Sequence, residues 1–385
     1  MRICLVSSSF YPATFYGGPI SATWDLSKKL AEKGHEIYVS TTNANGDKKL
    51  SVECNNFLEK ENNVFVKYYN EQIINKFSVS FLFGIWSDIK KSNIVYIQYL
   101  FHYSVLFSLL FSVIQKKKII VCPRGSFSVF TLNNKLPFIK SLWLSFFIKP
   151  MVHKIVWQAS SYLEEMDILN KFPNADVEII NDGIDFDSFQ NSITVSRNEL
   201  LNKFTNITFN NVSNVFFSMG RLHKIKGFNV LIDAFNLFLE KDKYAKLIIA
   251  GGDDGVGKQL QDQIQKFNLS TSVFLIGAIN FEDKKLLLNN CDYFTLASEF
   301  ESFGIVIAEA LSCGKPVVVS NKTSWKDIQI NNCGIFSDNK EISFNDAFCK
   351  VINEKFDSIV IKNYVKMNYD WAVIIDKFIN LIENK

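Results

Sequence analysis

The sequence predicts an α/β protein built from two doubly wound domains in tandem, each a parallel sheet with helices on both faces. Three observations predict it. Short apolar, β-branched runs alternate with amphipathic runs of helix length along the whole chain. The alternation pauses in a polar, Asn/Ser/Thr-rich stretch between Asp187 and Asn214 and then begins again. The length of 385 residues suits two to three domains at about 150 residues each.

The elements follow in order. In the first half the strands are RICLVS (2–7), EIYVST (36–41), NIVYIQ (93–98), KIIVC (118–122), KIVWQ (154–158) and VEII (177–180), with helical stretches at 19–33, 136–150 and 160–170. In the second half come NVFFSM (214–219), a helix over 226–241, KLIIAG (246–251), a helix over 258–267, SVFLIG (272–277), DYFTLA (292–297), a helix over 304–313 and PVVVS (316–320). The order β-α-β-α implies parallel pairing. The boundaries read as a first domain over 1–190 and a second over 191–365, with 187–214 as the linker. In such folds ligands bind at the carboxyl ends of the strands.

Composition excludes several classes. Hydrophobic residues are 48% and charged residues 21%, which excludes a disordered chain and a charged coiled coil. The net charge of +3 gives no basic field for nucleic acid. Gly 17 and Pro 7 exclude collagen-like and linker-rich chains, while Phe is heavy at 36. The seven cysteines form no C-x-x-C pair and no Cys/His cluster, so neither a disulfide framework nor a zinc site is expected. That usage fits a reducing cytosol, and MRICLVSSSFYP lacks the form of a signal peptide.

Two segments bear on membranes. Ile94 to Ile114 has spanning length, but Gln98 and His102 interrupt it, so it reads as a buried strand and an amphipathic helix. Phe138 to Lys154, FIKSLWLSFFIKPMVHK, mixes aromatics with lysines. It reads either as an interfacial stretch or as a core-facing helix with snorkelling lysines.

Three constellations carry chemistry. Gly17-Gly18-Pro19 follows the first strand and opens a helix, where backbone N–H groups can meet an anion. Gly220-Arg221-Leu-His-Lys-Ile-Lys226-Gly227 follows the strand 214–219, and a planar fork with a point charge suits a diphosphate. Glu299-Phe-Glu301-Ser302-Phe303-Gly304-Ile305 leads from a strand into a helix that carries Glu309 among apolar neighbours. An anion at that helix start, flanked by carboxylates that accept from paired hydroxyls, describes a nucleotide phosphate and its sugars.

Together these pieces resemble glycosyltransferase family 4, retaining enzymes of the GT-B fold. The E-x7-E signature stands as Glu301 and Glu309, the G-R-L…K-G signature as Gly220, Arg221, Leu222, Lys226 and Gly227, and Asn181-Asp182-Gly183-Ile184-Asp185 looks like the N-G-[VI]-D turn with one residue changed. The resemblance implies two Rossmann-like domains with an interdomain cleft, the last helix (about 366–385) crossing back onto the first domain, and Trp371 as packing. It implies Arg221, Lys226 and Glu301 as catalytic: the cations and the N–H groups at Gly304 and Ile305 meet the leaving diphosphate, and Glu301 holds donor-sugar hydroxyls. Glu309 would hold the ribose, the main chain near Ala278 the base, Ser302 and Phe303 would line the donor site, and Gly17 and Gly18 would close on the phosphates. The leaving phosphate would take the acceptor proton, so no separate base is implied, and no metal or other cofactor is expected.

One departure stands out. Where the family often has a histidine, at the end of IVYIQ, this chain has Gln98, and His102 lies one helical turn further on. Either replaces it. Arg124, after the next strand, would meet a phosphate on the acceptor or simply shape a turn.

Other motifs point elsewhere. Asp185-Phe186-Asp187 is a D-x-D tripeptide of the kind that binds divalent metal, but it sits in a turn. Gly252 to Gln259 nearly spells a P-loop, yet Gln259 stands where Ser or Thr is needed, and Asp253 and Asp254 would repel phosphates. A nucleotide-sugar epimerase or a binder without turnover stays open, with a P-loop NTPase a distant third. The expectation is a cytoplasmic transferase using a UDP- or GDP-linked sugar. Its acceptor is expected to be a lipid-linked saccharide, in O-antigen or capsule synthesis, with peripheral membrane contact and no nucleic-acid partner.

Overall fold

The structure is a computed structural model that describes residues 1–72, 76–190 and 192–384. The chain forms two compact units. One comprises Met1–Gly183 with Trp371–Lys385, the other Ile184–Asp370.

The first unit is built on an eight-stranded sheet. In spatial order its strands are Asp176–Ile179, Ile155–Ala159, Lys118–Cys122, Ile94–Gln98, Arg2–Val6, Glu36–Thr42, Val64–Tyr69 and Leu58–Glu61. Every neighbouring pair is parallel except the last, Leu58–Glu61 against Val64–Tyr69. The chain starts in the middle, works outward to one side, then returns to the other. The reversal falls between Arg2–Val6 and Ile94–Gln98, where neighbouring carboxyl ends diverge and open a crevice.

Both faces of this sheet are covered. On one face Ile3, Leu5, Val39 and Tyr96 pack with Leu26 and Leu30 of the helix Gly18–Glu32 and with Ile374, Ile375, Phe378 and Ile382 of the helix Trp371–Asn384. Those C-terminal positions recur at the three- and four-residue spacing of one helix face. On the other face Cys4, Val95, Val121 and Trp157 pack with the helices Val79–Lys90, Tyr103–Ile114 and Tyr162–Lys171. The segment of spanning length is thus a strand and a helix. No helix among the described residues is long and apolar enough to cross a membrane.

The second unit has a six-stranded, all-parallel sheet in the order Val273–Leu275, Lys246–Ala250, Val215–Met219, Tyr293–Leu296, Val317–Ser320, Gly334–Ser337. Its reversal lies between Val215–Met219 and Tyr293–Leu296. Much of the phenylalanine excess is here: Phe216, Phe235, Phe238 and Phe348 meet edge to face or tilted, with centroids 5.0 to 6.1 Å apart.

Several expectations are corrected. The stretch 187–214 is not a plain linker: it contains the helix Arg197–Thr205, closed by a capping box between Ser196 and Glu199, with Leu200 and Leu201 fully buried. The helix expected over 136–150 is three pieces, an α-helix Pro137–Trp143, a π turn Leu144–Ile148 and a 3₁₀ turn Lys149–Lys154. The final helix is two, Ser358–Tyr369 in the second unit and Trp371–Asn384 in the first, broken by extended backbone at Asp370. Trp371 is buried against Gly183, where a Cβ would lie 2.4 Å from its ring.

Candidate active site

In the second unit the reversal of strand order brings two loops side by side. Val215–Met219 feeds the segment Gly220–Gly227, and Tyr293–Leu296 feeds Ser298–Gly304. Lys226 Nζ lies 2.5 Å from Glu301 Oε1, and both side chains are largely buried. Ser298 donates its hydroxyl to the same carboxylate oxygen at 2.7 Å. The two loops are also tied by backbone, Glu299 N–H to Ile225 O at 2.8 Å. Gly227 makes this approach possible. Its φ is +64°, and a Cβ there would lie 1.9 Å from the carbonyl oxygen of Ala297.

Arg221 stands apart from that pair. It is exposed and forms an ion pair with Asp254 in the next loop. Asp253, its neighbour, turns its own carboxylate inward to accept from the N–H groups of Gly257 at 2.8 Å and Gly255 at 3.0 Å. Those bonds hold its carboxyl below the usual aspartate range. The P-loop-like sequence therefore wraps an aspartate, which occupies amides a phosphate would need.

Gly304 has φ +82° and caps the eight-residue helix Ile305–Ser312. Ser302 is half-buried at its approach. Phe303 is not a surface for ligand: its ring is buried against Trp325 and Tyr369, and its carbonyl accepts from Trp325 Nε1 at 2.6 Å. Only its main chain can serve a donor. Glu309 is buried within the helix, and Lys284 Nζ lies 2.6 Å from its Oε1. Its Oε2 has no partner. Ala278 is exposed beside Gly252, its Cβ 4.0 Å from where one on Gly252 would lie.

In the first unit Gly17 has φ +74° and precedes the helix Gly18–Glu32. Gln98 is buried at the end of its strand. The Thr23 hydroxyl, 2.6 Å from Pro19 O, also lies 2.8 Å from Gln98 Oε1, and Gln98 Nε2 has no partner. His102 caps the helix Tyr103–Ile114, its Nδ1 2.6 Å from Ser104 Oγ. It also lines a cavity of about 1060 Å³ with Tyr16, Lys76, Tyr99, Arg124 and Lys140. Gln98 and His102 thus occupy different settings, one sealed beneath the first helix and one on a cavity wall.

Arg124 is buried and donates its Nη1 to both carboxylate oxygens of Asp182, at 2.5 and 2.6 Å. Burial pulls against its charge, but the Asp182 carboxylate outweighs that and the guanidinium stays protonated. The loop that presents it is pinned by Glu164, which accepts from Gly125 N at 2.5 Å and from Ser160 Oγ at 2.6 Å. Arg124 is therefore first a structural cation. Its buried Nε lacks a partner.

The D-x-D tripeptide is a turn: Asp185 accepts from the Ser188 N–H at 3.2 Å and Asp187–Phe189 is a 3₁₀ helix. Sequence reading missed Ser298, Lys284 and Asp254, the partners of Glu301, Glu309 and Arg221. Ser298 lies three residues before Glu301, a spacing that offered a hint. The other two come from separate elements and offered none.

Residues 202–369 match the family described as glycosyl transferases group 1. An uncharacterized glycosyltransferase of Methanocaldococcus jannaschii is 27% identical over 235 residues, covering 59% of each chain. The alpha-1,3/1,6-mannosyltransferase of Dictyostelium discoideum is 27% identical over 217 residues, 52% of this chain and 51% of that one. The matches thus span between about half and three-fifths of these relatives. Among solved structures, Anabaena HepE in complex with UDP and glucose aligns over 100% of both chains with a TM-score of 0.77 and 17% identity. The chain thus has the GT-B fold of these structures, and its residues 202–369, which hold the loops at the carboxyl ends of the two strands where the sheet reverses, are similar to the glycosyl transferases group 1.

Proposed function

We propose that this protein is a retaining glycosyltransferase that moves a sugar from a UDP- or GDP-linked donor to a lipid-linked saccharide, in the assembly of a surface polysaccharide such as O-antigen or capsule. The observation that carries the reading is the Lys226–Glu301 pair at the reversal of strand order, with the helix start at Gly304 beside it.

The chemistry follows from charge. Breaking the glycosidic bond to a diphosphate leaves negative charge on the leaving oxygen. Lys226, Arg221 and the N–H groups at the start of Ile305–Ser312 stabilise it, and fixed charges of this kind supply a large share of rate enhancement. The diphosphate takes the place of Asp254 at Arg221. Glu301, oriented by Lys226 and Ser298, accepts from hydroxyls of the donor sugar. Glu309 accepts from the ribose, and the exposed main chain at Ala278 meets the base. The leaving phosphate takes the acceptor proton, so the reaction needs no separate base, and Lys226, Arg221 and the helix-start amides supply the charge neutralisation that a metal would otherwise give. HepE bound to UDP and glucose and the mannosyltransferase of Dictyostelium support a nucleotide-sugar donor.

The first unit binds the acceptor. Exposed Leu136, Phe138, Ile139 and Phe146, with Lys135 and Lys149 among them, support a peripheral seat on the cytoplasmic face of a membrane.

The test is a melting series with UDP, GDP, CDP, ADP and ATP, each with EDTA and with Mg²⁺. A ligand at a hundredfold over its Kd adds about 2.7 kcal/mol of stability. A shift by UDP or GDP that survives EDTA is expected. A shift only with ATP and Mg²⁺ would overturn the reading. Nucleotide release from UDP- or GDP-sugars with no acceptor present would favour an epimerase.

A further inference from the structure

The Glu309 carboxylate is half satisfied. Oε1 is 2.6 Å from Lys284 Nζ, while Oε2, screened from solvent, has no partner. A buried carboxylate oxygen without a hydrogen bond is costly, so an oxygen left in this state is one that a ligand hydroxyl can complete. The lysine is itself held. Its ammonium lies over the rings of Phe189 and Phe281, 5.3 and 5.2 Å from their centroids, and those rings meet edge to face at 5.5 Å. The neighbouring acid does not compete for it, because Asp283 pairs with Lys203 at 2.7 Å. The helix Phe281–Asn290 that carries Lys284 is fixed at its start by Asn280, which accepts from the Asp283 N–H at 2.8 Å.

We propose that Lys284 is a positioning residue for the donor's ribose: by holding Oε1 of Glu309 it presents Oε2 to a ribose hydroxyl and makes the site select ribonucleotides over deoxyribonucleotides. The inference rests on the reading of Glu309 given above. A lysine–carboxylate contact alone would lend stability. A contact that leaves the second oxygen empty, within a buried helix face, also fixes the direction in which that oxygen accepts.

The test measures binding of UDP and GDP, and of their 2′-deoxy and 3′-deoxy counterparts, to the full chain by calorimetry. A hydrogen bond to a charged group corresponds to about tenfold to a hundredfold in affinity, so the wild type is expected to favour the ribonucleotide by that ratio over at least one deoxy form. Glu309→Gln is expected to bring the ratio down to about threefold or less, since the amide pair is weaker. Lys284→Met is expected to do the same while the affinity for that deoxy form changes little, and Lys284→Arg to keep most of the discrimination. An unchanged ratio in Lys284→Met beside a reduced one in Glu309→Gln would overturn the role of Lys284 alone. An unchanged ratio in both would place the failure in the ribose reading itself. Equal loss of ribo and deoxy forms in both lysine variants would make Lys284 merely structural and overturn the inference.

Discussion

Arg221 is an exposed cation whose ion pair joins it to the partly exposed Asp254. Such pairs contribute about 0–1 kcal/mol to folding. Arg221→Ala is therefore expected to lower donor use by about a hundredfold or more while moving the melting temperature by no more than a degree or two. Turnover with the selected nucleotide sugar, set beside the melting curve, checks this, and equal damage to both would make Arg221 structural. The charged residues of this site were legible because their positions, just past a strand and just into a helix, carry meaning without knowledge of tertiary contacts. Their partners were not. Lys284 lies 25 residues from Glu309 and Asp254 lies 33 from Arg221. Each arrives through a separate element, and nothing local in the sequence distinguishes it from a solvated charge. Arg124 reads in sequence as a cation free for phosphate, and only the fold reveals the carboxylate of Asp182 that claims it.

The elements were legible to the extent that their flanks allowed. Arg2–Val6, Ile94–Gln98 and Val215–Met219 stand out as apolar runs between turn signals. Val64–Tyr69 did not, because the Asn-rich, charged run before it reads as loop, although its Leu58–Glu61 part pairs as an antiparallel edge. Gly334–Ser337 is four residues that begin with glycine, too brief to assert itself. The helix Arg197–Thr205 is polar but for a few positions, so its composition spoke for a linker while its capping box spoke for a helix. The turn Gly220–Gly227 shows what an element can demand of one residue. Gly227→Ala places a methyl group into the carbonyl of Ala297 at a left-handed φ. The expected cost is about 2 kcal/mol or more, a drop of several degrees in melting temperature, together with a smaller nucleotide-induced shift, since Lys226 moves with the turn. Full retention of both would mean that the loop relaxes without disturbing the site.

At the scale of the whole molecule, the surface of the first unit is uneven. Phe138 and Phe146 are 73% and 69% exposed, whereas Trp143 packs against the core. The pair Phe138→Ser and Phe146→Ser is accordingly the informative change. It is expected to abolish most co-sedimentation with vesicles of mixed zwitterionic and anionic lipid while leaving donor binding intact. Unaltered sedimentation would remove the membrane seat from the proposal and leave the transferase reading standing.

The return of the chain at Trp371 also sets an order of assembly. Ile184 N–H and Tyr369 O are 2.9 Å apart, so the second unit starts and finishes at one place, with its entire sheet encoded between those points. The first unit begins earlier but takes six core side chains, Trp371, Ile374, Ile375, Phe378, Leu381 and Ile382, from the helix translated after the second unit is complete. Domains emerging from a ribosome fold as units once their sequence is available. On this chain the unit whose synthesis starts first must wait, with part of one face of its sheet uncovered, until the other has been made.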